Sequence, residues 1–153
     1  MPESNVARDE AIAYFETQFG VARAWLEELH FVERQGEIWA TSASAIPPLA
    51  SLRLPGLRAL RRAPGGLKPT SVFLTLLADR ITARRIETDL ARLRKLLLGQ
   101  WIPTDASDGY CAVGFRGDVL GCGRVRDRRV RALIPTGRRR ELLNALSHFE
   151  ATE

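Results

Sequence analysis

The sequence GYCAVGFRGDVLGCGRVRDRRVRALIPTGRRR, residues 109–140, decides the fold. Residues 110–115 are aromatic, small or β-branched, and residues 119–125 return to an extended pattern after the triplet Arg-Gly-Asp. Two extended runs joined by a short turn that contains glycine are typical of a β-hairpin. We therefore predict two antiparallel strands in this region.

A third strand is predicted after a second turn at Asp127. Arg129 and Arg131 alternate with Val130 and Ala132, and successive side chains of a strand point to opposite faces of the sheet. One face of this strand is therefore predicted to be basic and solvated, and the other face to be buried.

Glycines on both sides of Cys122 predict a small, strongly curved sheet. Gly121 and Gly123 lie within the second strand, where glycine usually marks a bulge, a tight bend or the close approach of another segment. The two cysteines, Cys111 and Cys122, fall on paired strands. We expect two buried thiols, and a cross-strand disulfide is the alternative.

Length and composition are those of a folded protein. The chain has 153 residues, of which 45% are hydrophobic, which is enough for one domain or for one domain with a small appendage. No run of about 18 apolar residues occurs. The first ten residues are polar rather than a charged and then apolar leader. We expect a soluble, cytoplasmic protein.

Charge is distributed unevenly along the chain. Residues 1–50 hold three basic and eight acidic side chains, whereas the rest of the chain holds twenty basic and ten acidic ones. All but two of the basic residues are arginine, whose planar guanidinium binds phosphate and stacks on bases. We predict an acidic N-terminal α+β lobe, residues 1–50, and a basic domain, residues 51–153.

Apolar residues at helical spacing predict five helices, so that the fold class is α+β. Thr70 or Ser71 is expected to cap the third helix, and Thr88 the fourth. The predicted helices are residues 6–18, 22–29, 71–81, 89–98 and 140–149. The predicted strands outside the C-terminal sheet region are residues 30–34, 37–41, 57–62, 84–87 and 101–103.

Three segments, taken in order, resemble one protein family. They are Gly65-Gly66-Leu67-Lys68-Pro69-Thr70, Gly99-Gln100-Trp101-Ile102, and Gly121-Cys122-Gly123-Arg124 followed by Pro135-Thr136-Gly137-Arg138-Arg139. Together they are similar to the PUA-like RNA-binding domain of the RsmF/Fmu/Sun-type rRNA cytosine methyltransferases, over residues 57–143. A weaker likeness, at Phe19-Gly20 and Ile38-Trp39-Ala40, extends to the N-terminal lobe of stand-alone archaeal members of the family.

The resemblance implies a small mixed PUA-like β-pseudobarrel with flanking helices, which holds RNA on a basic face in rRNA modification or ribosome biogenesis. We expect the methyltransferase half of the family's enzymes to be absent, since no dinucleotide-like fold is recognisable before the domain and neither Cys111 nor Cys122 follows a proline. Where family members often carry Lys-Asn before a terminal Pro-Lys-Gly, this chain has Arg131-Ala132 and Thr136. A base contact made by that asparagine is therefore not carried over.

Arginines are concentrated at the C-terminal end of the predicted sheet. They would neutralise several phosphates, and a bound polyanion would relieve their mutual repulsion. On a regular strand Arg124, Arg126 and Arg128 would share one face. An ordinary solvated face is the alternative. The predicted RNA-binding arginines are Arg124, Arg126, Arg128, Arg129, Arg131, Arg138, Arg139 and Arg140.

A second anion site is predicted at Lys68 and Thr70, because free backbone N–H groups at the start of a helix attract phosphate. Helix capping and packing are the alternative role. The pair is not a P-loop, since Pro69 interrupts the Gly-Lys-Thr order. Three further arginines, Arg58, Arg61 and Arg62, would extend the RNA-binding surface beside this anion site.

The aromatic residues of the C-terminal half are predicted to be core residues first. Trp101 lies in an apolar pattern, as do Trp25 and Trp39. Tyr110 and Phe115 are also assigned to the core, with stacking on RNA bases as the alternative.

No set of catalytic residues, metal ligands or cofactor-binding residues is recognisable in the sequence. His30 and His148 lack partners at metal-ligand spacing. We predict a non-catalytic RNA-binding protein, whose partner is rRNA or a tRNA-like structured RNA, without a cofactor or a membrane partner. The alternative is an interaction protein whose acidic lobe docks a separate RNA methyltransferase or a ribosomal protein, and an enzyme is the least favoured class.

Overall fold

Two sheets and five α-helices make up the residues that a computed structural model describes, 2–41 and 56–151. The predicted α+β class is confirmed. The helices are α1 (Pro2–Phe19), α2 (Arg23–Leu26), α3 (Ser71–Leu76), α4 (Leu90–Leu97) and α5 (Thr136–Ala151).

The first sheet has four strands: β1 (His30–Arg34), β2 (Glu37–Thr41), β3 (Leu57–Ala63) and β4 (Gly66–Pro69). They are antiparallel and lie in the order β1-β2-β3-β4. The hairpin predicted at residues 30–41 is confirmed. The segment predicted only to lead into the third helix is itself a strand, β4, at the edge of the sheet.

The predicted domain boundary at residue 50 lies outside the described residues. The first sheet takes β1 and β2 from one side of that position, and β3 and β4 from the other. In addition, the backbone N–H groups of Thr82 and Ala83 donate to the carbonyl of Phe19, at 2.9 and 3.1 Å. Backbone hydrogen bonds therefore join the two sides, and the division into an acidic lobe and a basic domain stays a prediction.

The second sheet is mixed and has five strands: β5 (Arg85–Glu87), β6 (Ile102–Pro103), β7 (Gly109–Phe115), β8 (Asp118–Arg126) and β9 (Arg129–Ala132). Their order is β5-β7-β8-β9-β6, and only the pairing of β5 with β7 is parallel within the described part of the chain. The predicted hairpin at residues 110–125 and the third strand after Asp127 are confirmed.

Strands β7 and β8 are buried on both faces, so they separate two cores. On one face Ala112 and Cys122 pack with apolar side chains of α1, the first sheet and α3. On the other face Cys111 and Val113 pack with side chains of α4, β9 and α5. The hairpin of β7 and β8 therefore contributes side chains to both cores and joins them.

The two cysteines are free thiols on opposite faces of the hairpin. Cys111 lies across from Gly123, and Cys122 lies across from Ala112, so the two side chains point away from each other. Burial raises the pKa of each thiol to about 12. The prediction of buried thiols is confirmed, and the disulfide alternative is wrong.

Gly121 allows α3 to approach β8 closely. A Cβ atom at this position would lie 2.5 Å from Cγ1 of Ile134 and 2.9 Å from Oγ of Ser71. The Ser71 hydroxyl in turn accepts a hydrogen bond from the backbone N–H of Cys122 at 2.9 Å. The close approach predicted from the glycines is therefore present, and it fixes β4 and the start of α3 beside the second sheet.

Several helix boundaries differ from the prediction. α1 begins at Pro2 instead of residue 6, and α2 ends at Leu26 instead of residue 29. α3 ends at Leu76 and is followed by a 3-10 turn, Ala78–Arg80, instead of continuing to residue 81. α5 begins at Thr136, four residues before the predicted start. The three arginines at residues 138–140 consequently lie on a helix.

Asp89, not Thr88, caps α4. The Asp89 carboxylate accepts a hydrogen bond from the backbone N–H of Arg92 at 2.8 Å. The hydroxyl of buried Thr88 instead donates to the carbonyl of Gly114 at 2.8 Å. The predicted cap was wrong because β7 supplies a carbonyl acceptor that cannot be foreseen from local sequence.

Arg62 on β3 links α1 and β1 through two carboxylates. Its guanidinium donates to Glu10 at 2.7 and 3.1 Å, and to Glu33 at 2.7 and 2.8 Å. Hydrogen bonds from Arg62 lower the pKa of both glutamates and raise the pKa of Arg62. A group whose pKa is lowered on folding stabilises the fold above its unfolded pKa, and this stabilisation is lost as the pH falls through the folded pKa.

Changing Arg62 to methionine is expected to lower the free energy of unfolding by about 1 kcal/mol at pH 7, since the network is partly screened by solvent. The difference from the unchanged protein should shrink as the pH falls below 4.5, the ordinary glutamate value. Urea denaturation of both proteins across this pH range measures the difference in their free energies of unfolding. Arg61→Met is the matched control, because Arg61 is exposed on the same strand and has no carboxylate partner in the described residues. A loss that does not depend on pH would contradict the assignment.

Candidate nucleic-acid interface

Four arginines occupy one face of the hairpin formed by β8 and β9. Arg124 lies across from Arg131, and Arg126 lies across from Arg129. The intervening pair, Val125 and Val130, is buried on the opposite face. Residues directly opposite each other on antiparallel strands point to the same side, so the two strands bring four guanidiniums onto one exposed surface. We call these four residues the arginine face.

None of these four arginines has a carboxylate partner in residues 2–41 and 56–151. Like charges opposite each other on neighbouring strands destabilise a sheet. The arrangement therefore stores repulsion that a polyanion would relieve. An ordinary solvated face would have its charges compensated by acids, and this one does not.

Two aromatic rings hold three of the guanidiniums. Arg129 and Arg131 lie over the ring of Trp101, at 5.2 and 5.5 Å from its centroid. Arg124 lies over Tyr110 at 5.6 Å. These cation–π contacts partly compensate the repulsion. They also leave the guanidiniums accessible, because an aromatic ring does not occupy their hydrogen-bond donors as a carboxylate would.

The position of Trp101 differs from the prediction that it is a core residue. Trp101 is half-buried and directly precedes β6, whose residue Ile102 lies across from Val130. The pairing places Trp101 beside Arg131 at the end of the sheet. Sequence analysis missed this role, because only the register between β6 and β9 reveals it.

A groove runs past the arginine face. Its central cavity, of about 300 Å³, is lined by Lys68, Leu133, the two aromatic rings and three residues of the arginine face. A second cavity, of about 260 Å³, shares Lys68 and Leu133 with the first and includes Arg61. A third, of about 170 Å³, shares Tyr110 and Arg124 and reaches the turn at Gly65. Strand β4 borders all three cavities, which together we call the groove.

Lys68 and Thr70 have different roles in the groove. The Thr70 hydroxyl accepts a hydrogen bond from the N–H of Phe73 at 3.2 Å and donates to the carbonyl of Arg58 at 2.6 Å. It is the N-cap of α3, as predicted, and both its donor and its acceptor are engaged. Lys68 lies between the first two cavities. Of the predicted pair, Lys68 is therefore the residue that presents a cationic group to the groove.

Arg128 does not lie on the arginine face, in contrast to the prediction from strand alternation. Asp127 and Arg128 form the turn between β8 and β9, and the φ angle of Arg128 is 64°. The turn breaks the alternation, so Arg128 lines a separate cavity of about 570 Å³ together with Arg85 and Arg92. The backbone carbonyl of Arg128 accepts a hydrogen bond from the N–H of Thr104 at 3.0 Å, which holds the turn in place.

None of the three arginines of α5 lines the three cavities of the groove. Arg138 forms an ion pair with Glu141 at 3.0 Å. Arg139 donates to Oγ1 of Thr136 at 3.2 Å, and its guanidinium reaches the carbonyl of Leu97 at the end of α4. A positive charge at the C-terminal end of a helix is stabilising, so Arg139 has a structural role. Arg140 is exposed.

Within the described residues, Arg61 is the one of the three arginines predicted to extend the groove that has no carboxylate partner. Arg58 forms an ion pair with Glu37, and Arg62 binds Glu10 and Glu33. Arg61 lies across from Lys68 on the neighbouring strand and lines the second cavity.

In residues 2–41 and 56–151, no group of three or more histidine, cysteine, aspartate or glutamate side chains is arranged to hold a metal ion. Within the same residues, none of the helices has the length and apolar character needed to cross a membrane.

Comparison with known protein families gives one match. Residues 83–140 match the family model described as the methyltransferase RsmF PUA domain. The matched range covers the whole second sheet, α4 and the first residues of α5. It is shorter than the resemblance seen in the sequence, which also included β3 and β4. No curated protein matches the chain.

Proposed function

Because residues 83–140 match the model of the RsmF methyltransferase PUA domain, we propose that this protein binds structured RNA in the groove beside the arginine face. The observation that carries the proposal is the set of four guanidiniums on one face, opposite Lys68, without a carboxylate partner in the described residues. A PUA domain from a family of RNA methyltransferases suggests RNA as the polyanion.

Phosphate contacts would supply most of the affinity. Guanidiniums bind phosphate oxygens through two parallel hydrogen bonds, and those of the arginine face have these donors available. Arg61 and Lys68 would add charges along β4. Phosphate contacts position an RNA without reading its sequence, so selectivity would come from the shape of the groove and from its aromatic residues.

We assign the protein a non-catalytic part in rRNA modification or ribosome biogenesis in the cytoplasm, without a cofactor. The matched family model describes the PUA domain of a methyltransferase. A PUA domain in such an enzyme would hold the RNA while another part of the enzyme carries out the reaction. The simplest role for these residues is therefore to hold RNA.

A second candidate function is a docking subunit for a separate RNA methyltransferase or a ribosomal protein. The first fifty residues hold eight acidic and three basic side chains. Of these, Asp9, Glu27 and Glu28 are exposed. Such a surface suits a basic protein partner. Binding of a purified methyltransferase in the absence of RNA would favour this function over the first.

The test of RNA binding is a salt series with rRNA fragments. For about 4–6 phosphate contacts, the affinity should fall roughly 10²–10³-fold between about 50 and 200 mM salt. Fluorescence anisotropy of labelled RNA measures the dissociation constant at each concentration. An affinity that is independent of salt, or no binding to any RNA fragment, would contradict the proposal.

A further inference from the structure

The central cavity of the groove combines cations with aromatic rings. Trp101 and Tyr110 line the same space of about 300 Å³ as Lys68, Arg124 and Arg131. A site for the phosphates of a duplex would need only the cations, because the bases of a duplex are stacked inside it. Aromatic rings beside cations are the features of sites that bind single strands.

From this combination we infer that the groove holds an unpaired stretch of RNA, with one base stacked on Trp101 and the neighbouring phosphates bound by Lys68 and the arginine face. The inference rests on the proposed RNA-binding function and adds the kind of RNA segment. Tyr110 is the second stacking surface, at the other end of the same row of side chains.

The row follows directly from the strand register. Tyr110 lies across from Arg124, and Arg124 lies across from Arg131. Trp101 lies next to Arg131, since it precedes the pair formed by Ile102 and Val130. Four neighbouring positions thus read aromatic, cation, cation, aromatic across the sheet. The two cations thus lie between the two stacking surfaces, where they would meet the phosphates that link two stacked bases.

In the free protein, guanidiniums of the arginine face cover the rings of Trp101 and Tyr110. Arg129 and Arg131 lie over Trp101, and Arg124 lies over Tyr110. A phosphate binds a guanidinium more strongly than a ring does, because its oxygens accept charge-assisted hydrogen bonds. When phosphates draw the guanidiniums away, the faces of the rings become available to bases. The move of a guanidinium from a ring to a phosphate therefore allows both the phosphate contact and the stacking of a base on the ring.

The size of the cavity also favours an unpaired nucleotide. A volume of about 300 Å³ lies at the lower end of the range for ligand pockets and suits a single nucleotide. β4 and the turn at Gly65 form the wall opposite the second sheet. A base can enter between these walls, whereas both strands of a duplex cannot.

Three RNAs with the same number of phosphates test the inference on the unchanged protein: an unstructured strand, the same strand with abasic ribose at its central positions, and a blunt duplex of half the length. The unstructured strand is expected to bind roughly 10- to 100-fold more tightly than the abasic strand, as one stacked base contributes by this amount. Equal affinities for the unstructured and the abasic strand would overturn the inference. The RNA-binding proposal would survive that result, whereas failure of all three RNAs to bind would overturn both.

A variant with Trp25→Phe and Trp39→Phe adds a spectroscopic readout, since Trp101 is then the only one of the three tryptophans left. The unstructured strand should quench its fluorescence, and the abasic strand should not. Trp101→Leu should abolish the difference in affinity between the unstructured and the abasic strand, because the unstructured strand then loses its stacking surface. Trp101→Phe, which keeps a ring, should restore most of the difference. Quenching by both strands, or an equal loss of affinity for both in Trp101→Leu, would count against stacking.

Discussion

Changing Arg124 and Arg131 together to glutamate is expected to lower the affinity for rRNA fragments about 100-fold or more at 100 mM salt. Each change removes a phosphate contact and adds a repulsive charge, and each lost contact also reduces the slope of affinity against salt by about one. The two residues lie across from each other at the centre of the arginine face. No carboxylate partner within the described residues is left unpaired by the change, so the fold should tolerate it.

Changing Arg34 and Lys95 to glutamate is the matched control. The change in net charge is the same, both side chains are exposed and have no carboxylate partner within the described residues, and neither lines the groove. The affinity of the control for RNA should fall less than about 5-fold, because only long-range charge interactions change. Anisotropy measurements at several salt concentrations give both the affinity and the slope. Equal losses in the two variants would show that net charge, and not the arginine face, determines binding.

Changing Phe73 to alanine is expected to lower the free energy of unfolding by about 3–5 kcal/mol, the usual cost of deleting a buried phenyl ring. Phe73 on α3 is 1% exposed. Its ring lies 5.0 Å from that of Phe15 on α1 and 6.4 Å from that of Phe31 on β1. Because α3 also packs against β8, the ring stabilises the packing of α1 and the first sheet against the second sheet.

Urea denaturation measured by circular dichroism checks this value. Val72→Ala is the matched control, since Val72 is the preceding residue and is 50% exposed, and its replacement should cost about 0.5 kcal/mol or less. The same measurement bears on the predicted division at residue 50. One cooperative transition in the unchanged protein would indicate that the two parts unfold together, whereas two transitions would indicate separate domains. A cost below about 1 kcal/mol for Phe73→Ala would contradict the packing described here.

The local pattern of residues was sufficient to predict most of the second sheet. Alternation along residues 110–125 and the turn at Arg116-Gly117 predicted β7 and β8, because the period of a strand depends only on neighbouring residues. The same reasoning predicted Thr70 as the cap of α3. It also placed Arg124 and Arg126 on one face, and it gave the α+β class.

Long-range contacts could not be predicted in this way. The choice of Asp89 over Thr88 as a cap depends on a carbonyl of Gly114 in another strand. The structural role of Arg139 depends on the end of α4, forty-two residues away. Arg128 leaves the face because the turn residues adopt positive φ angles, which the uninterrupted alternation of arginines does not indicate.

The sequence by itself determined which residues are cationic, which segments are extended and which faces of those segments are polar, since these properties follow from side-chain chemistry and from the period of each element. The tertiary structure alone decided which cations meet. Pairing of β9 with β8 brought Arg131 beside Arg124, pairing of β9 with β6 brought Trp101 beside Arg131, and the packing of α3 against β8 set Lys68 opposite them. The groove exists because strands distant in sequence become neighbours in the sheet, and no local pattern records which strands those will be.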